Sequence, residues 1–276
     1  MKIGIFDSGL GGLFITKSIV KMLPQYEYLY VGDTERTPYG NRSEKIVYQF
    51  LAEAVDFLFR NDCALVIVAC NTASAQALRR VQQEYIPAHY PTRRVLGVII
   101  PAVEEAIAHG AKKVGVLATA STVRARAFTR ELKKRNTRIM VYERPAPLLV
   151  PIIEHDELEY ADEMLKKYLA PLIAKKIDTL ILGCTHYPIL KQRIKKMVGP
   201  RIRVISQDEI VGTKLKEYLL RHKELARLLS RRRVVHICVT DITPTFRVCA
   251  RRWFGKRAPL KTISLTTNTF DNGSVA

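Results

Sequence analysis

Nothing in the sequence is long and apolar enough to cross a membrane. Apolar stretches such as residues 64–70 and 95–100 fall well short of the roughly 20 residues that span a bilayer. No secretory leader is expected either, because Met1-Lys2 runs straight into Ile3-Gly4-Ile5-Phe6 and then the charged Asp7. The expected location is the cytoplasm, with no membrane partner. Cysteine is scarce: five thiols in 276 residues, odd in number and irregular in spacing, exclude a disulfide framework and leave each to be judged by its surroundings. Acidic residues are in short supply, 26 against 45 Lys and Arg, for a formal charge of +19. At face value such an excess points to nucleic acid or an anionic surface. The clusters Lys133-Lys134-Arg135, Lys195-Lys196 and Arg231-Arg232-Arg233 nevertheless lie in or just after helical patterns, where they read as solvated faces. A nucleic-acid partner is therefore the weaker reading.

What is present is an ordinary globular composition, 47% apolar and 26% charged, which excludes bulk disorder. The length allows one large domain or two of moderate size. Short β-rich runs at residues 3–6, 28–31, 64–69, 95–99, 113–117, 138–142, 179–183, 203–205, 234–239 and 260–265 alternate with stretches of helical period. The clearest helix starts near Ser43, where Ile46, Val47, Phe50, Leu51, Ala54, Val55 and Leu58 form one stripe. Single helices are expected over 73–84, 121–135, 158–175 and 208–229. Strict βα alternation predicts an α/β fold of parallel sheets covered by helices on both faces. Residues 65–72 and 179–186 are alike, each an apolar strand, a small residue, a cysteine and a polar pair before a helix. That similarity predicts two related halves facing one another, each offering a thiol at a strand's carboxyl end, where ligands of open parallel sheets bind.

Cys70 and Cys184 are the residues most suggestive of chemistry. A lone thiol after an apolar strand is usually a small buried hydrophobe, and that reading is kept for Cys63, Cys238 and Cys249. Both Cys70 and Cys184, however, occupy strand-to-helix turns, where free amides and the helix dipole can depress a thiol pKa. Two matched thiols on opposite sides of one carbon could remove a proton on one face and return one on the other. His186 follows Cys184 by two residues, close enough to shuttle its proton or bond a substrate. No second Cys/His pair with ligand spacing accompanies it, so no metal is expected. The loop Asp7-Ser8-Gly9-Leu10-Gly11-Gly12 is neither a dinucleotide fingerprint nor a P-loop. Its amides can still approach a carboxylate, with Asp7 in the same mouth as an N-cap, a thiol's helper or an acceptor for an ammonium group. Thr119 and Thr122 open a helix after a strand, as caps or as carboxylate ligands.

Together, Asp7-Ser8-Gly9-Leu10-Gly11-Gly12, Asp33 with Arg36 and Pro38-Tyr39-Gly40, Ala69-Cys70-Asn71-Thr72-Ala73-Ser74 and Gly183-Cys184-Thr185-His186-Tyr187-Pro188 resemble the glutamate racemase branch of the aspartate/glutamate racemase superfamily. The resemblance spans nearly the whole chain; the tail after about Leu265 looks unrelated. It implies two pseudosymmetric α/β domains, each a mostly parallel sheet flanked by helices, with the active site in the cleft between them. The first would comprise residues 1–93 plus 205–276 and the second residues 94–204, commonly within a homodimer. It implies cofactor-independent interconversion of L- and D-glutamate, supplying D-glutamate for peptidoglycan. By the same resemblance Cys70 would exchange the α-proton of D-glutamate and Cys184 that of L-glutamate, assisted by Asp7 and His186 respectively. Ser8, Pro38, Tyr39, Gly40, Asn71, Thr72, Thr119, Thr122 and Thr185, with Asp7 and His186, would hold the substrate.

The chain departs from the family pattern at Ala118 and Ser121, where glycines are usual, and at Glu154-His155-Asp156, which replaces an acidic-glycine run. Competing readings are a related racemase or decarboxylase acting on aspartate, a hydantoin or another small acid, a Cys-His hydrolase using Cys184 alone, and a basic nucleic-acid-binding protein.

Overall fold

A computed structural model describes residues 1–255 and 260–265; the dissimilar tail after Leu265 lies outside the described residues. Ten strands form: β1 (Lys2–Asp7), β2 (Tyr28–Gly32), β3 (Cys63–Val68), β4 (Arg94–Gly97), β5 (Lys113–Ala118), β6 (Met140–Pro145), β7 (Thr179–Gly183), β8 (Arg203–Ser206), β9 (Val235–Val239) and β10 (Leu260–Thr262). Two sheets result, ordered β10-β9-β2-β1-β3-β4 and β6-β5-β7-β8. Every pairing among them is parallel. The strand pattern and fold class thus follow the alternation in the sequence.

Burial explains the order. Strands β3 and β7 are covered along their whole length, as continuous apolar runs require of a parallel interior strand. In β1, Ile3 and Ile5 turn into one core with Leu13, Ile15 and Ile19 of the helix Gly12–Met22. Phe6 faces the other way, onto Val47, Leu51, Val55 and Leu58 of the helix Glu44–Arg60, the period of two that a strand imposes. The first of these cores continues without a break into the smaller sheet, through Leu180, Leu182, Leu165 and Leu169. Both lobes are therefore rooted in one apolar mass.

Two differences from the sequence expectation have local causes. Residues 71–89 do not make a single helix. Asn71–Gln76 and Leu78–Arg80 are followed by a π-helical turn, Val81–Tyr85, and a last turn at Ile86–His89. Pro87 lies in that last turn, has no N–H to donate four residues back, and its ring pushes the preceding carbonyls outward, so the helix widens ahead of it. Likewise the helix expected over 121–135 breaks at Arg126, whose φ of 50° is left-handed. Arg94–Gly97 pairs with β3 of the larger sheet, so the chain leaves that sheet after Gly97, and Arg203–Ser206 is the edge of the smaller one.

Phe128 is fully buried against the smaller sheet, and a Cβ on Gly183 would sit 3.1 Å from its ring. Its ring thus backs the strand that carries Cys184. Phe128→Ala is expected to lower the unfolding free energy by about 3–5 kcal/mol. A urea unfolding curve measures this, and a loss below about 1 kcal/mol would show that the site collapses around the cavity.

Candidate active site

The residues singled out in the sequence converge because parallel strands put all their carboxyl ends on one side. Asp7 is the last residue of β1, Cys70 and Thr119 follow β3 and β5 within two residues, and Cys184 directly follows β7. The two sheets present these ends to each other. Gly11 and Gly12 make that approach possible: a Cβ on Gly11 would lie 2.3 Å from Thr185 Oγ1 and 2.8 Å from His186 Nδ1, and one on Gly12 only 2.4 Å from Asp7 Cβ. A larger residue at Gly11 would push against the opposite lobe, and one at Gly12 would push the loop off Asp7.

Around Cys70, Ser8 Oγ lies 3.2 Å from the sulfur. The Ala73 amide donates to the same sulfur at 3.5 Å, so the thiol caps its own helix. Asp7 is wholly buried; its Oδ2 accepts from the Gly9 and Gly12 amides at 3.1 and 3.0 Å, and the Thr185 hydroxyl donates to Oδ1 from the opposite lobe at 3.5 Å. Around Cys184, His186 Nδ1 stands 3.8 Å from the sulfur and its Nε2 lies 2.9 Å from Glu154 Oε1. Thr72, Thr119 and Thr122 form a hydroxyl triangle across the two lobes, with Thr72 to Thr119 at 3.0 Å and Thr119 to Thr122 at 2.9 Å. Cys70 and Cys184 are only 4% and 6% exposed. They are nonetheless within electrostatic reach of each other, since a charge on Cys184 raises Cys70.

Charge is what this burial controls. The Cys70 thiol is pushed up to about 12, by burial first and then by the Asp7 carboxylate, against the opposing pull of the Ser8 hydroxyl and the Ala73 amide. That corrects the depressed value expected from its turn: a helix of six residues supplies a weak dipole, and desolvation of the charged form outweighs it. Burial likewise raises Asp7, offset in part by His186 and the two glycine amides. For His186 burial alone acts downward, yet Cys184 and Glu154 overcome it and hold the imidazole well above its ordinary 6.5. Glu154 shows the reverse balance: burial raises it, but the His186 hydrogen bond and charge leave it below its ordinary 4.5.

The segment Pro38-Tyr39-Gly40 is placed differently from the rest. Pro38 is exposed, and the Tyr39 hydroxyl is committed to Asp33, which Arg36 also holds while bridging to Glu53. Gly40 instead lies against Thr119, where an added Cβ would be 3.5 Å from that residue. This segment can therefore meet a ligand through its backbone rather than through the Tyr39 hydroxyl. Three partners escaped the sequence reading: Glu154 beside His186, Tyr30 donating to the Gly9 carbonyl at 2.6 Å, and Gln207 paired with Asn71. Their spacings, 32, 21 and 136 residues, leave no local signal. Among the described residues no group of three or more His, Cys, Asp or Glu side chains is arranged to hold a metal ion, and no helix is long and apolar enough to cross a membrane.

Two parallel sheets thus meet at their carboxyl ends, with acid and base side chains gathered where they face each other. A family model described as Asp/Glu/Hydantoin racemase matches residues 3–210, and the chain belongs to that family. It is 40% identical over 257 residues to a glutamate racemase of Geobacter metallireducens, covering 92% of each chain. Against one from Chlorobaculum parvum the identity is 37%, over 93% of each. Among solved structures, a glutamate racemase isoform from Bacillus anthracis superposes with a TM-score of 0.86 at 34% identity, covering 96% of this chain and 97% of that one. The Francisella tularensis glutamate racemase, solved in complex with D-glutamate, gives 0.85 at 33% identity, with the same coverage.

The His186–Glu154 pair has a pH window fixed by the two directions. Glu154 is lowered on folding, so its contribution is complete above about pH 4.5 and is lost as pH falls through its folded value. His186 is raised, so its contribution is complete below about pH 6.5 and is lost as pH rises through its folded value. Both are present between those limits, and there the parent should exceed Glu154→Gln most in urea midpoint. The same variant should move the His186 titration, followed by NMR at Cε1–H, to lower pH. An unmoved midpoint would remove Glu154 from this account.

Proposed function

We propose that the protein interconverts L- and D-glutamate by proton transfer at the α-carbon, with Cys70 and Cys184 as the two acid–base groups. The observation that carries this reading is the delivery of one nearly buried thiol by each sheet into a single cleft, each beside its own polar helpers. From L-glutamate, Cys184 as thiolate takes the α-proton: the C–H bond breaks and an S–H bond forms. Cys70, kept as a thiol by its surroundings, gives its proton to the opposite face, so the new C–H bond forms as its S–H bond breaks. The reverse direction exchanges the roles, with Cys70 acting on D-glutamate. Inversion at carbon needs only these two proton transfers, and the reading calls for no cofactor.

His186, held as imidazolium between Cys184 and Glu154, supplies or stores the proton on the Cys184 side. Asp7 performs the corresponding service for Cys70, working through the loop whose amides fix it. Ser8, Asn71, Thr72, Thr119, Thr122 and Thr185, with the backbone at Tyr39 and Gly40, present donors to the two carboxylates and acceptors to the ammonium. In this reading the lobes divide at the two crossings, near residues 98 and 206. The enzyme works in the cytoplasm as a homodimer and furnishes D-glutamate to peptidoglycan precursors.

Each placed acid or base contributes about 10²–10⁴-fold. Cys70→Ser and Cys184→Ser should therefore each lose at least about a hundredfold in racemisation, measured by circular dichroism from either enantiomer. In D₂O the parent should place deuterium at Cα as the optical signal decays. A serine variant racemising near the parent rate would end the two-thiol mechanism, and turnover of aspartate or a hydantoin but not glutamate would end the substrate assignment.

A further inference from the structure

Asn71 follows Cys70 and opens the helix Asn71–Gln76, yet its side chain is engaged by a residue from the far side of the chain. Its Nδ2 donates to Gln207 Oε1 at 2.7 Å, and its Oδ1 accepts from Gln207 Nε2 at 2.8 Å. Gln207 Nε2 also donates to the Val98 carbonyl at 3.0 Å. All three residues are at most 2% exposed. Val98 lies on the crossing by which the chain leaves the larger sheet after β4, and Gln207 on the crossing by which it leaves the smaller sheet after β8.

We propose that Gln207 is a positioning residue: its amide, oriented by the Val98 carbonyl, fixes which way round Asn71 faces the Cys70 turn and so presents Asn71 as a donor to the substrate. The reasoning is one of parity. Two primary amides in a reciprocal pair keep both hydrogen bonds if both flip together, so the pair alone leaves the orientation undecided. A backbone carbonyl only accepts. Val98 therefore requires the NH₂ end of Gln207 beside it, which turns Oε1 toward Asn71 and obliges Asn71 to answer with its own NH₂. One N–H of Asn71 is consumed in this way, and the second stays available at the turn next to the sulfur. A flipped Asn71 would set NH₂ against NH₂ in a buried site, and a buried donor left unmatched is costly. The arrangement also ties both crossings to the Cys70 turn.

The inference rests on the racemase reading for what Asn71 donates to, and the test separates the two. Gln207→Met keeps the volume and loses every hydrogen bond; Gln207→Leu also loses every hydrogen bond, with a shorter side chain. Each variant should raise the KM for glutamate about tenfold with kcat within about threefold of the parent, the loss of one oriented donor. A purely structural role would instead lower the active fraction and kcat at constant KM. The Asn71 side-chain amide, assigned by its disappearance in Asn71→Asp, should exchange slowly with solvent in the parent and fast in Gln207→Met, or in Gln207→Leu where the methionine variant does not fold. A KM within twofold of the parent, or an Asn71 amide as protected as in the parent, overturns the proposal. If the parent does not racemise glutamate, the functional reading falls while the amide exchange still decides the orientation of Asn71.

Discussion

Charge removed from water is the constraint around which this cleft is built. Asp7, Cys70, Cys184 and His186 are all less than 7% exposed, in surroundings where an uncompensated charge costs several kcal/mol. Compensation is supplied piecewise. Asp7 receives two backbone amides, which requires the loop to turn tightly enough for Gly9 and Gly12 to reach it. His186 is held up by Cys184 and Glu154 against desolvation, and Glu154 is held down in turn by His186. Cys70, given only a hydroxyl and one amide, stays protonated instead. The two thiols thus have different neighbours although the turns that carry them are alike: the Ser8 hydroxyl and the Ala73 amide at Cys70, and the His186 imidazole at Cys184.

The same logic accounts for the positions where the chain departs from the family pattern. Ser121 is fully buried, and its hydroxyl accepts from Gln76 across the cleft at 3.1 Å and from Arg124 at 3.2 Å. A glycine there would leave both donors without that acceptor, so serine acts as a tie between lobes. Asp156 adopts a φ of 61°, where an L residue is strained and glycine is the usual choice. In return its carboxylate takes both guanidinium nitrogens of Arg252, from the helix Pro244–Phe254. Both partners are about half exposed, so the pair adds little to stability. Its effect is to fix the turn just after Glu154 and so the carboxylate that faces His186.

The sequence carried the fold class well because the signals are local. Fully apolar runs such as β3 and β7, a capped amphipathic stripe behind Ser43, and repeated strand-cysteine turns each declare themselves within about ten residues. What it carried poorly depends on distance. Glu154 and Gln207 reach their partners only after the sheets have formed, and no period or spacing announces such a pairing. The Cys70 thiol was misread for a related reason: its local turn suggests a lowered pKa, while the burial that reverses the sign is a property of the closed cleft. The helix break before Pro87 was visible in principle, since proline withdraws a donor at a known offset.

The basic surplus acquires a meaning from the cleft it surrounds. The described site holds two carboxylates, Asp7 and Glu154, against one imidazolium, so its own groups do not attract an anion. Glutamate carries two carboxylates and one ammonium, and in the proposed reaction one thiol must also be ionised. In the proposed reading the inner wall would hold such a substrate through oriented neutral donors, the hydroxyls of Thr72, Thr119, Thr122 and Thr185 and the amides of the turns, which stabilise charge without adding any. Long-range attraction has to come from elsewhere. A surface at +19 raises the local concentration of small anions over distances up to the Debye length, roughly 8–10 Å at physiological salt. The proposed reading thus divides encounter and recognition between two kinds of group: formal charges on the surface, screened by salt, and dipoles in the site, which are not.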